Sequence, residues 1–519
     1  MKILTSQQMT NIENQAFEHG VSQKTLMEHA GLGIARKIRM LLGNLAPNHI
    51  FVLVGSGNNG GDGLIAAKYL KMWGAEVTVY LCSNRKGSYP KLATLSNLGV
   101  EIKSLFGDSE LTDFKCAISK STVLVDGIMG TGLSRPIQGK LLSIFELIRN
   151  TNKQHLYSIS IDIPSGLNAD TGDADAMSIK TDLTLTLGYP KSGLYLNQGP
   201  TLTGQVEVLD IGIPKKIIPE SKINLTNKHW AKNVIPDRPK NAHKGTFGKT
   251  LIIGGSKFYS GAPYLSAIAA ARSGVGLVTL AVTSDVQKSI SSLTPIPTYL
   301  PLSDFSSNTN TNNNIEMILN NITKYKSILI GPGLGTDPDT QFFLQQMLEK
   351  KQQLPPTILD ADAINILNQT RGKVWWSNLP RETILTPHLA EFSRLTNLSI
   401  DKINSDKMNI ALKVASESQT IIVLKGSNTI VALPTGSIFV SPFANPSLAT
   451  AGTGDVLAGI IAGFLAQGLS IQSASILAVF VHAQAGKYVN CKYGDQGSLA
   501  NDLLEYIPKS INYIRSHNC

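Results

Sequence analysis

Three polar segments in the first half of the chain follow apolar runs and gather carboxylates, hydroxyls and glycines. The first, Gly55 to Gly63, reads GSGNNGGDG after the run Ile50–Val54. Gly55, Gly57 and Gly60 fit GxGxxG. Such glycines allow a tight turn and leave amide donors at a helix start, which suits a phosphate. Asn58, Asn59 and Asp62 make this loop unusually polar. A dinucleotide-binding dehydrogenase would carry an acid at the end of its second strand to hold a ribose. Here VTVYL runs into Cys82, Ser83, Asn84 and Arg85, which weakens that reading. The second segment follows Val123–Asp126 and supplies a carboxylate, then Gly130 and Gly132, then Arg135. The third follows Ser158–Asp162 and adds Ser165 three residues after a second carboxylate. In an open parallel sheet the carboxyl ends of strands share one crevice, where ligands bind. Asn59, Asp126 and Ser165 would then offer oxygen ligands to a hard cation. One strand-end Asp caps a turn as readily as it binds a ligand; three convergent strand ends favour a site.

The second half holds a different chemistry. Ala451 to Gly459 reads AGTGDVLAG, with Gly452 and Gly454 placed to turn backbone amides toward an oxyanion at a helix start. Asp455 sits where it could deprotonate a hydroxyl beside that anion hole, a combination suited to phosphoryl transfer to an alcohol. No GxxxxGK[ST] loop is present, which disfavours a P-loop enzyme. Lys425 lies between the apolar run IIVL and Gly426, placed to reach a phosphate rather than solvent. His388 ends a strand in TPH, where a structural and a functional role weigh evenly. Asp360 and Asp362 would cap the following helix just as well, and are left out of the site.

The elements that must carry these groups alternate between apolar strands and helical patterns. Ile50–Val54, Val77–Leu81, Val123–Asp126, Ser158–Asp162 and Leu183–Leu187 read as strands, and the stretch around Leu64–Trp73 as a helix. Residues 213–240, rich in Pro, Lys and Asn, read as a boundary. The alternation then restarts with Thr250–Ile253, Leu277–Val282, Ser327–Ile330, Thr357–Leu359 and Thr420–Leu424, and with helices at Tyr264–Ser273 and Val456–Leu465. Two tandem α/β domains with parallel sheets follow. Ser306–Asn314 (SSNTNTNNN) reads as a mobile surface loop. At 519 residues and 42% hydrophobic composition the chain has ample material for two cores. Lys and Arg number 47 against 37 Asp and Glu, and no run of five like charges occurs. That mild excess suits anionic small molecules and argues against a nucleic-acid arm. Four dispersed cysteines without a CxxC pair, no apolar signal core and no span long enough for a bilayer lead us to expect a cytoplasmic protein, with neither membrane nor nucleic acid as partner.

VGSGNNGGDG, DGIMGTGLSRP and SIDIPSGLNADTG resemble the N-terminal domain of the NAD(P)H-hydrate repair enzymes, a Rossmann-like αβα sandwich expected here over 1–217. The resemblance implies an epimerase that interconverts R and S forms of hydrated NADH and NADPH (NADHX and NADPHX). It implies that Asn58, Asn59, Gly60, Gly61 and Asp62, with Gly130, Thr131, Gly132, Leu133, Ser134, Arg135 and Pro136, hold the hydrated dinucleotide. It further implies that Asn59, Asp126 and Ser165 bind potassium, and that Asp162 contacts substrate and acts as the acid/base. The chemistry suits a carboxylate that moves protons while water leaves and returns, or while the ring opens.

GTGD after a KG strand end resembles the ribokinase-like superfamily. HKGTFGKTLIIGGS, GPGLG, LDADA, TPHLAEFSRL, VLKGSNT and NPSLATAGTGDVLAG narrow the likeness to the ADP-dependent NAD(P)H-hydrate dehydratase, expected over 218–519. This implies substrate contacts at Ala262, Gly333, His388 and Asp455. It implies ADP contacts at Lys425, Gly426, Ser427, Asn428, Thr429 and Gly454, with magnesium accompanying the nucleotide. Ala451 stands where the family often has a further glycine, and the stretch around Ser447 and Leu448 is atypical. The implied partners are NADHX, NADPHX and ADP, in a homo-oligomer. Three other readings compete: a ribokinase-like small-molecule kinase fused to a dinucleotide-binding module, a non-catalytic first domain, and a dehydrogenase. The fusion opposes the first, because one half supplies the isomer that the other consumes. Asn59, Asp126, Asp162 and Ser165 together oppose the second, and the missing ribose acid the third.

Overall fold

A computed structural model describes residues 1–83, 90–132, 136–151, 156–369 and 374–516. The chain divides into two compact units, Met1–Ser221 and Lys222–Cys519, within the 213–240 stretch.

The first unit is built on strands β1 (His49–Val54), β2 (Glu76–Leu81), β3 (Glu101–Ser104), β4 (Val123–Gly127), β5 (Tyr157–Ile161), β6 (Leu183–Leu187) and β7 (Gln205–Leu209). They form one sheet in the order β3-β2-β1-β4-β5-β6-β7. Every pairing is parallel. β1 and β6 are buried along their whole length, as strands covered on both faces must be. The edge strands β3 (EIKS) and β7 (QVEVL) are only partly buried. The order reverses beside β1, so the ends of β1 and β4 diverge and leave a crevice at the sheet's carboxyl edge.

The second unit contains β8 (Ile223–Leu225), β9 (Lys249–Ile253), β10 (Leu277–Thr283), β11 (Thr298–Leu302), β12 (Ser327–Ile330), β13 (Thr357–Leu359), β14 (Thr383–Leu385), β15 (Ile421–Leu424), β16 (Ile430–Ala432) and β17 (Ile438–Val440). The sheet order is β11-β10-β9-β12-β13-β14-β15-β16-β17-β8. It is parallel from β11 to β15 and turns antiparallel through β16 and β17.

The helix Thr453–Ala466 packs tightly on Gly261–Ser273. A β-carbon on Gly459 would lie 2.2 Å from the Ser266 carbonyl oxygen, and one on Gly463 2.0 Å from Ser273 Oγ. Glycine here serves close approach of two backbones. Gly459→Ala is expected to lower stability by about 1–3 kcal/mol, the usual range for overpacking. Chemical denaturation monitored on this unit checks it; an unchanged midpoint would show that the helices can separate without cost.

One expectation is corrected. Ser306–Asn314 is not a loop: a helix runs from Asn308 to Ile322. Ser307 caps it by accepting from the Asn310 amide. Thr311, Asn314, Ile315, Ile318 and Ile322 are buried on one face at helical spacing. The Asn314 side chain accepts from Ser303 N and donates to Ser303 O. The Asn and Thr bias hid both the cap and the period. Among the described residues no helix is long and apolar enough to cross a membrane.

Candidate active sites

In the first unit the polar segments sit where β1, β4, β5 and β6 end. Asn58 to Asp62 open the helix Asn58–Met72, whose N-cap Gly57 makes no side-chain cap bond, leaving its first amides open. Asn59 is buried, and its amide nitrogen donates to Met129 O (3.0 Å) and Ile161 O (2.7 Å). That ties the β1, β4 and β5 ends together and leaves Asn59 Oδ1 unengaged among the described residues. A β-carbon on Gly130 would lie 3.0 Å from the Asn59 amide group, so glycine there lets the loops meet. Asp126 accepts from Ser165 Oγ (2.6 Å), Ser165 N (2.8 Å) and Ile128 N (3.2 Å). It is buried, and burial pushes its carboxyl above the ordinary range despite those bonds. Asn59, Asp126 and Ser165 are thus brought together. Thr131, Gly132 and Pro136 are exposed beside them. Leu133, Ser134 and Arg135 lie outside the described residues.

Asp162 is held in the left-handed region at φ 66°, which costs a non-glycine residue about 1–2 kcal/mol. The strain is fixed by bonds at one carboxylate oxygen. Oδ1 accepts from Lys191 Nζ (2.5 Å), Leu187 N (2.9 Å) and Thr186 Oγ1 (3.0 Å). Its second oxygen carries no such bond among the described residues and remains for a ligand. Lys191, which follows β6, is 1% exposed and also donates to Leu187 O. The sequence reading did not find it. The local sign that could have is a lysine shortly after an uncharged Leu- and Thr-rich strand, a looser form of the placement that singled out Lys425. Burial pushes Asp62 up to about 8, helped by the charge of Asp162, so Asp62 is a neutral acid at pH 7. Glu13, from the helix Ser6–Glu18, is also raised, by burial first, and feels both Lys191 and Asp162.

The second unit assembles its site from the carboxyl ends of β9, β12, β13, β14 and β15, with the start of the helix Thr453–Ala466. Gly333, after β12, has φ 63°, and a β-carbon there would meet Tyr259 O at 2.5 Å and Ala262 at 3.1 Å. Ala262 and Gly333 are therefore neighbours, with the exposed Phe258 and Tyr259 beside them. Lys425 donates to Asp360 Oδ1 (2.9 Å) and lies 4.0 Å from Glu391. Burial alone would lower this ammonium, but Asp360 and Glu391 outweigh it and raise it. Lys425 Nζ also lies 3.1 Å from where a β-carbon on Gly454 would stand. Asp360, set aside as a helix cap, is buried and braced by Thr386 Oγ1 at 2.6 Å. Asp362 accepts from the Gly335 amide, a loop-holding role.

His388 is the N-cap of the helix Leu389–Thr396, and its Nδ1 accepts from Ala390 N and Glu391 N. The tautomer is thereby set: Nε2 carries the proton and can donate. Burial, then Lys425 and Arg394, lower its pKa and keep it neutral. Asp455 is pushed up to about 7, by burial and then by Asp360, with Lys425 acting in the opposite sense. A carboxylate titrating near working pH is placed well for a general base. Its backbone carbonyl accepts from Ser266 Oγ, which fixes the helix start. His482 holds the same turn by donating to Thr453 O, and burial lowers it to about 4. Gly452 supplies the left-handed cap at φ 90°. Two buried oxygens in these loops, Asn428 Oδ1 and Ser256 Oγ, have no hydrogen-bond partner among the described residues.

A family profile described as NAD(P)H-hydrate dehydratase matches residues 250–509, and one described as YjeF-related protein N-terminus matches residues 23–193. The chain is 35% identical over 516 residues to a bifunctional NAD(P)H-hydrate repair enzyme of Moorella thermoacetica, covering 98% of this chain and 96% of the relative. It is 35% identical over 526 residues to one of Dictyoglomus turgidum, covering 99% of both. Among solved structures, an ADP/ATP-dependent NAD(P)H-hydrate dehydratase from Bacillus subtilis, co-crystallised with ATP and Mg2+, is 28% identical. That match has a TM-score of 0.48 over 56% of this chain and 98% of the other.

Proposed function

The chain belongs to the family of bifunctional NAD(P)H-hydrate repair enzymes, and on that premise we propose how its two sites divide the work. The protein repairs hydrated NADH and NADPH, with an epimerase in the first unit and a dehydratase in the second. In our reading the first unit interconverts the R and S hydrates and the second consumes the S form with ADP. The observation that carries the reading is Asp455: a carboxylate held near 7 at a glycine-capped helix start, beside the Lys425 ammonium.

In the second unit Asp455 takes the proton of the substrate hydroxyl. That oxygen attacks the β-phosphorus of ADP, and the bond from phosphorus to the bridging oxygen breaks, releasing AMP. The hydroxyl has become a phosphate ester, a far better leaving group. Ring-nitrogen electrons expel phosphate, and the adjacent ring carbon loses a proton to give NADH or NADPH. Ala262, Gly333 and His388 receive the substrate, with His388 Nε2 as donor. Lys425, Gly426, Ser427, Asn428, Thr429 and Gly454 receive ADP, and Asn428 Oδ1, without a partner among the described residues, offers an acceptor to the nucleoside. Among the described residues no three His, Cys, Asp or Glu side chains converge to hold a metal. Magnesium fits as an ion carried on the nucleotide phosphates, which it would partly neutralise, near the carboxylates around Lys425.

In the first unit Asn58, Asn59, Gly60, Gly61 and Asp62, with Gly130 to Pro136, receive the hydrated dinucleotide. Asp162 moves the proton through its open oxygen while Lys191 steadies its charge. Asp126, buried with no lysine or arginine paired to it among the described residues, fits a monovalent cation shared with Asn59 Oδ1 and Ser165 Oγ. Potassium there would supply the missing positive charge. Homo-oligomeric assembly and residence in the cytoplasm belong to the same reading. The test is recovery of reduced nicotinamide absorbance from mixed R and S NADHX, with and without ADP. We expect complete recovery with ADP and none without it. If ADP has no effect but ATP phosphorylates an added alcohol, the second unit is a kinase and this reading fails.

A further inference from the structure

Lys407 begins the helix Lys407–Ser418, two elements away in sequence from the nucleotide loop Lys425–Thr429. Its ammonium nevertheless reaches that loop: a β-carbon on Gly426 would stand 2.8 Å from Lys407 Nζ. The position is costly in three respects. A cation in the first turn of a helix opposes the helix dipole. Lys407 is half-buried, and that burial, with no charge to offset it, lowers its pKa to about 8. No hydrogen bond or ion pair holds it among the described residues, whereas Lys425 is already compensated by Asp360 and Glu391. Its own helix carries Lys413 and Glu417, paired to each other, and the cap Asp406. The preceding helix Ile400–Ser405 carries Asp401 and Lys402, and the packed strands β15 and β16 carry no charge. None of these groups forms an ion pair with Lys407.

We propose that Lys407 binds the diphosphate of ADP, as the uncompensated cation of the nucleotide site. The inference rests on the reading that Lys425–Thr429 and Gly454 form that site. Lys425 contributes little net attraction once Asp360 and Glu391 have neutralised it. Lys407 contributes a positive charge that no carboxylate offsets, and the arriving phosphate pairs with it and relieves its conflict with the helix dipole.

Isothermal titration of ADP into the full-length protein tests this, with wild type, Lys407→Met, Lys407→Arg and Gly454→Val. Lys407→Met is expected to weaken ADP binding about 10–100-fold, as for loss of a charged hydrogen bond, and Lys407→Arg to recover most of it. Wild-type affinity should fall as pH rises from about 7 to about 9, because the free ammonium deprotonates near 8. Lys407→Arg should show no such fall, a difference that does not depend on whether Lys407→Met folds. If Lys407→Met binds ADP like wild type while Gly454→Val does not bind it, the inference is overturned and the site stands. If ADP binding survives Gly454→Val unchanged, the nucleotide lies elsewhere and the underlying reading fails first.

Discussion

Asp455→Asn is expected to lower the dehydration rate by about 10²–10⁴-fold, the usual contribution of a general base, and to leave epimerisation at the wild-type rate. Asparagine keeps the size and the helix position but cannot accept the hydroxyl proton. The carboxylate sits among Asp360, Asp362 and Glu391, whose charges, after burial, hold its proton until about pH 7. Removing its charge lessens repulsion toward a diphosphate, so ADP should bind as well or better. The loss therefore falls on kcat and not on KM for ADP, which separates a base from a binding group. The same titration predicts the pH dependence. The working form is the ionised one, so wild-type dehydration should rise as pH passes through about 7 and then level off. Steady-state rates at the reduced-nicotinamide band, with pure S hydrate and saturating ADP, check both statements. A variant that dehydrates at the wild-type rate would remove Asp455 from the chemistry.

The sequence disclosed the buried strands and the glycine loops because both are local signals. Leu183–Leu187, Ser327–Ile330 and Thr357–Leu359 are runs of Leu, Ile, Thr and Ser without a charge, and the strands have those bounds. The edge strands β3 and β7 escaped because half-exposed strands such as EIKS carry polar residues on one face. β8 and the β16–β17 hairpin are three-residue pieces whose identity comes only from their neighbours in the sheet. The site divides along the same line. Asn59, Asp126 and Ser165 each stand in a loud glycine-rich motif, and the fold joins them. Lys191, Asp360 and Glu391 act through partners 29, 65 and 34 residues away, counted to Asp162, Lys425 and Lys425. No local pattern separates such a carboxylate from one that caps a helix or faces water, and for the lysine the only local sign is its place shortly after a buried strand. Asp360 illustrates the limit: LDADA fits a cap, and only the strand order β13-β14-β15 puts its carboxylate against Lys425.

The epimerase can be isolated by a substitution that spares the backbone. Asp162 occupies the left-handed region at φ 66°, which asparagine tolerates and alanine does not. Asp162→Asn should therefore lose less stability than Asp162→Ala, although both strand the buried Lys191 ammonium without its carboxylate. Breaking such a pair typically costs about 3–5 kcal/mol, so the fold of each variant is checked by its dehydratase activity and its melting curve. In Asp162→Asn the amide can still accept from Lys191, Leu187 N and Thr186, but the open position can no longer take up a proton. Exchange between R and S hydrates should fall about 10²–10⁴-fold. With ADP present, wild type should convert a mixed sample entirely to NADH. The variant should convert the S portion at the normal rate and then stop, leaving R hydrate that drains only as fast as it inverts without the enzyme. Chromatography of both isomers over time distinguishes the cases. If the variant clears both isomers at the wild-type rate, Asp162 is not the acid/base, and the neutral carboxyl of Asp62, raised to about 8, becomes the group to replace next.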